Sequence, residues 1–143
     1  MRNLPISKSI VYYWTPVWFW MIGIFVASSI PSVEIQQSEI VGTLTMSSPL
    51  LANQVTIHLT EYGILSLLLY RLILHTRMIH PAKVWFLAVV LSVLYGISDE
   101  LHQFFVPGRY SELMDLSYDA MGAIFGASFA LLATNVINRL RNT

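Results

Sequence analysis

The chain has 143 residues, of which 55% are hydrophobic and 11% charged, with no cysteine and a formal net charge of zero. A soluble domain carries about 25% charged residues, so this low charge and a mean hydropathy of +0.61 indicate a single integral membrane domain. Disulfides, thiolate metal sites and a cysteine nucleophile are excluded, and without a basic excess no nucleic-acid partner is expected.

The first apolar run covers about residues 10–30, behind a short head with Arg2 and Lys8. A signal peptide competes with a membrane span here, and Ala27-Ser28-Ser29 is a passable cleavage context. An h-region is usually about 7–15 residues, whereas a bilayer crossing takes about 20. The run therefore reads as an uncleaved span, with Tyr12, Tyr13, Trp14, Trp18, Phe19 and Trp20 suited to the interfaces. After Pro31 comes a loop rich in Ser, Thr and Gln, with a short surface helix expected near residues 35–44. The second span covers about 55–74 and carries His58 and Glu61 within its apolar run.

The third run is purely apolar only over about residues 84–97, too short to cross. Starting from Pro81, a favourable first helical position, its helix must continue through Asp99, Glu100, His102 and Gln103 toward Phe105 to reach the required length. Pro107-Gly108 then makes a turn. The fourth span covers about 111–137, with Ser111 as the expected N-cap.

Arg2, Lys8, Arg71, Arg77, Lys83, Arg139 and Arg141 fall at the ends that a four-span topology with both termini inside assigns to the cytoplasm; Arg109 alone falls outside. The positive-inside rule makes this an N-in, C-in four-helix bundle whose first loop is extracytoplasmic. The acids concentrate on the other side, and five of the eight lie between Ser98 and Asp119. Carboxylates near a bilayer are costly, so this segment is where a site is expected.

His58 and Glu61 lie three apart on one helix face, with Glu61 ~9 Å into its span at 1.5 Å per residue. Asp99, His102 and Gln103 share a face of the third helix, and Glu100 points about 100° away, so one acid is expected inside the bundle and the other at its flank. Asp115, Asp119, Gly122 and Gly126 form one stripe, extended by Ala130 and Ala133; its glycines suit close helix packing. Asp115 also lies in the first turns of its helix, where the dipole favours an anion. Arg109 is read first as an ion-pair partner of Asp115 or Glu100, and otherwise as a clamp for a phosphate or carboxylate. The side chains converging at the outer mouth would suit a divalent metal, a proton relay or a polar head-group pocket. No HExxH or comparable motif chooses among them.

The pattern His58-x-x-Glu61-Tyr62, then Asp99-Glu100-x-His102-Gln103-x-Phe105-x-x-Gly108-Arg109, then Asp115, Asp119 and Gly122-x-x-x-Gly126 resembles the VanZ-like family over essentially the whole chain. Where many relatives have Asn, this chain has Asp119, which adds a charge. The resemblance implies a small bacterial multi-pass protein of the cytoplasmic membrane and, through the family's founding member, a link to resistance against the glycopeptide teicoplanin. The expected role is binding of a lipid-linked head group, a cell-wall precursor or a glycopeptide by His58, Glu61, Asp99, Glu100, His102, Gln103, Arg109, Asp115 and Asp119. An alternative is a membrane-embedded, metal-assisted enzyme on a lipid phosphate or glycan head group, with Asp99 or Glu100 as base or metal ligand and His102 as acid/base. A proton- or cation-coupled carrier through Glu61 and Asp119 is a third, and its four spans would favour a homo-oligomer.

Overall fold

The computed structural model describes residues 6–31, 54–76, 79–109 and 113–142. They form four helices: α1 (Ile6–Ser28), α2 (Gln54–Thr76), α3 (Pro81–Gln103) and α4 (Leu113–Arg141). Each is long and apolar enough to cross a membrane. At 1.5 Å per residue, α1, α2 and α3, with 23 residues each, run about 35 Å and α4, with 29, about 43 Å. The hydrocarbon core is about 30 Å thick, so α4 carries its basic tail, Arg139 and Arg141, beyond it.

Local chemistry sets the helix ends. His80 caps α3, its Nδ1 accepting from the Ala82 backbone N–H at 3.3 Å, and Pro81 occupies the first helical position. At its other end α3 stops at Gln103 with Phe104 as C-cap, two residues short of the expected Phe105. Gly108 follows with φ 75°, a left-handed conformation that glycine adopts without a Cβ penalty. The expected Ser111 cap and the surface helix at 35–44 lie outside the described residues.

The bundle is apolar on its outer surface as well as inside. Phe19, Phe86, Phe125, Phe129 and Leu132 all point outward, the pattern of helices solvated by lipid rather than water. Packing therefore relies on close approach and on polar ties between helices. The most extensive contact is between α2 and α4; α3 packs on both, and α1 lies mainly on α2. Gly122 and Gly126 set the α2–α4 distance: a Cβ on Gly122 would sit 2.5 Å from the Leu59 carbonyl oxygen, and one on Gly126 would collide with the Gly63 carbonyl.

Side-chain hydrogen bonds help to hold the remaining faces. Trp20 Nε1 donates to the Glu61 carbonyl at 2.9 Å, Tyr95 to the Met21 carbonyl at 2.6 Å, and Trp85 Nε1 to Ser128 Oγ at 3.0 Å. The Glu61 carbonyl already accepts within α2, so the Trp20 bond is a second one. Trp20→Phe keeps most of the ring packing and is expected to lower stability by about 1 kcal/mol, measured by thermal denaturation in detergent micelles.

Candidate functional site

At one end of the bundle α1 and α3 finish while α2 and α4 begin, and the polar residues collect there. His58, one turn into α2, is 5% exposed, and its ring lies between two carboxylates of α4. Nδ1 is 2.7 Å from Asp119 Oδ1, and Nε2 is 3.7 Å from Asp115 Oδ2. Asp115 and Asp119 are four apart on a helix and so project from successive turns of one face, which lets them flank an imidazole from both of its nitrogens. The 2.7 Å contact assigns the Nδ1 proton as a donor to Asp119; the 3.7 Å contact is electrostatic rather than a hydrogen bond.

Glu100 of α3 joins this group. One donor atom from each of His58, Glu100 and Asp119 lies within 4.8 Å of the other two, and all three residues are buried. Among the described residues Asp119 Oδ2 has no hydrogen-bond partner, and neither has the hydroxyl of fully buried Tyr62. Both rest against Gly96: a Cβ there would be 2.9 Å from Asp119 Oδ2 and 3.3 Å from Tyr62 Cε1. The missing side chain is what makes room for the carboxylate. Deeper in the bundle the hydroxyls of Ser66, Tyr70 and Ser92 are also buried without partners among the described residues, groups of the kind that internal water commonly satisfies.

Asp99 belongs to a second arrangement, facing α1. Ser28 donates to its Oδ1 at 2.7 Å, and Gln103, one turn on, donates from Nε2 to its Oδ2 at 3.0 Å. Both carboxylate oxygens are thus held. Only one of Asp99 and Glu100 was expected inside, but both are, at 5% and 6% exposure. The reason is that α3 has neighbours on two sides, so a 100° step leads from α1 to the α2–α4 face. His102 is half-buried and stays with α1, its ring 4.4 Å from that of Phe25 and its Nε2 3.0 Å from Ser29 Oγ. Arg109 donates to the carbonyls of Ala27 and Ile30, both at 3.2 Å. It thereby binds carbonyls where α1 ends, at the negative pole of that helix; the Ala27 carbonyl also accepts from the Ile30 N–H.

Glu61 is half-buried within electrostatic reach of His58, Asp99 and Asp119. The structure thus brings His58, Glu100, Asp115 and Asp119 into one group with Glu61 beside it. Asp99 with Gln103, His102 and Arg109 line the α1 side of the same end. Ser28 and Ser29, read from sequence only as a cleavage context, turn out to be partners of Asp99 and His102. Two hydroxyls closing an apolar span were the available signal.

A model of the family described as VanZ/LLP1 matches residues 12–134 of the chain, a stretch that includes every residue just described. No curated protein and no solved structure matches it.

Proposed function

The chain belongs to the VanZ/LLP1 family, and from that premise we propose that the acidic end of its bundle binds the polar head group of a lipid-linked component of the bacterial envelope. The observation that carries this reading is the burial of His58, Glu100, Asp115 and Asp119 together at one end of a membrane bundle. Burying ionisable side chains beside a bilayer is expensive, and a purely structural tie between helices needs one pair rather than four groups. Carboxylates and an imidazole suit a ligand rich in hydroxyl or amide donors, such as the saccharide or peptide of a cell-wall precursor. The seven-to-one distribution of Arg and Lys supports an orientation with this end at the outer leaflet of the cytoplasmic membrane, where such head groups are displayed.

His58, Glu61, Glu100, Asp115 and Asp119 are the proposed ligand-contacting residues. Asp99, Gln103, His102 and Arg109 shape the wall next to α1. A test is retention of a polyprenyl-linked saccharide by the protein in lipid nanodiscs. Glu61→Gln should weaken retention about 10–100-fold, the equivalent of roughly 1.5–3 kcal/mol for a hydrogen bond to a charged group. Retention equal to that of empty discs would defeat the reading. The glycopeptide version is tested separately: teicoplanin susceptibility unchanged by deletion of the gene, in a host whose outer layer admits the drug, would defeat it.

The His58–Asp119 contact favours one second reading, acid–base catalysis on the bound head group. An imidazole held by a buried carboxylate is a suitable proton acceptor. His58 is the better-placed histidine for it than His102, which faces Phe25 and Ser29. Turnover of the retained lipid, abolished by His58→Gln, would distinguish catalysis from binding.

A further inference from the structure

We propose that His58, Glu100 and Asp119 bind one divalent transition-metal cation, Zn²⁺ or Mn²⁺, with Asp115 orienting the imidazole from outside the coordination shell. This deepens the head-group reading and rests on the same end of the bundle being a binding site. The cation is the element that would let an acidic cluster accept a phosphate.

The geometry comes first. Ligand atoms held about 2.0–2.2 Å from a metal lie roughly 3–4.4 Å from one another, and the three donor atoms here fall within 4.8 Å. His58 Nδ1 and Asp119 Oδ1, 2.7 Å apart, are spaced almost as adjacent ligands are, with the proton between them where the cation would go. A cation bound to Nδ1 displaces that proton, which moves to Nε2 as the ring changes tautomer. On the far side of the ring, Nε2 faces Asp115 Oδ2 at 3.7 Å. That is the arrangement in which a ligating imidazole donates its other N–H to a carboxylate, which fixes its tautomer and raises its basicity.

A second observation points to a ligand independently. Asp119 is 1% exposed, yet its Oδ2 has no hydrogen-bond partner among the described residues. It is directed at the α3 stripe that carries Gly96 and, one turn later, Glu100. A buried carboxylate oxygen without a donor is strongly disfavoured, and a cation shared with Glu100 removes the deficit. Nitrogen in the donor set disfavours Mg²⁺ and Ca²⁺, and the oxygen majority suits Mn²⁺ or Zn²⁺.

The experiment uses the full chain in phosphatidylcholine nanodiscs, stripped with EDTA and titrated with MnCl₂ or ZnCl₂, with no head group added. The expected result is one Mn²⁺ per chain, displaced by Zn²⁺, with an electron spin-echo modulation from one directly bound imidazole nitrogen. Glu100→Gln should weaken Mn²⁺ binding about 100-fold, and Asp115→Asn about 10-fold with a changed nitrogen coupling. His75→Gln removes an imidazole stacked on Tyr13 at the far end of α2 and should leave binding intact. Absence of nitrogen-coordinated Mn²⁺ in the unmodified chain overturns the proposal without requiring any variant to fold. Equal binding by Glu100→Gln, or a loss in His75→Gln as large as in Glu100→Gln, overturns it as well. Any of these results leaves saccharide retention, measured separately, to stand or fall on its own.

Discussion

Gly126→Ala is expected to be the most damaging single-methyl change in the chain. Its Cβ would be driven into the Gly63 carbonyl of α2, and backbone, unlike the tip of a flexible side chain, has no rotamer through which to yield. Overpacking usually costs about 1–3 kcal/mol, occasionally more. Here α2 and α4 must separate along their most extensive interface, so the loss should fall at or above the top of that range. Separation would also pull Asp115 and Asp119 on α4 away from His58 on α2, so ligand retention should fall with stability. Gly23→Ala is the control, since its Cβ would meet nothing within 4 Å. Alanine is worth up to about 1 kcal/mol over glycine inside a helix, so this variant should be neutral or stabilised. Denaturant titrations of the two variants in one detergent would check both expectations, and equal tolerance of alanine at the two positions would contradict the packing described.

The second large effect is expected at the His58–Asp119 contact. Removing one member of a buried ionic pair typically costs about 3–5 kcal/mol, because the remaining group loses its partner without regaining water. His58→Ala should approach that figure, leaving Asp119 at 1% exposure with its 2.7 Å partner gone. Asp119→Asn retains an acceptor oxygen for Nδ1 and should cost less. Adding Asp119→Leu to His58→Ala should recover part of the loss, because the carboxylate left at 1% exposure by the loss of its partner is then removed. A double-mutant cycle in thermal denaturation separates the pairwise contribution from the rest. Additive losses would mean that the two side chains stabilise the bundle independently.

The comparison of Arg109 with the carboxylates shows where sequence reading stopped. Its isolation among acids pointed to Asp115 or Glu100, but it donates to the Ala27 and Ile30 carbonyls. One-dimensional charge counting takes no account of helix ends, where the carbonyls of the last turn lie at a negative pole that attracts a cation. Gly96 is similar. In sequence it is one glycine in an apolar run, with no flanking turn signal, and only the approach of Asp119 and Tyr62 explains it.

The sequence by itself determined that four helices cross a membrane, because span length, hydropathy and polar interruptions are local quantities. It also determined that Asp99, Glu100, Asp115 and Asp119 gather near one end, since successive antiparallel spans return there. The helical stripe of Asp115, Asp119, Gly122 and Gly126 was equally legible, because spacings of three and four define a face. Only the tertiary structure decided how the acids divide. Glu100 goes to His58 and Asp119, while Asp99 goes to Ser28 and Gln103. That division depends on which helix lies across each face of α3, and helix neighbours are set by backbone approach at Gly63, Gly122 and Gly126. Periodicity shows that a face exists; what it faces is fixed by packing between segments far apart in the chain.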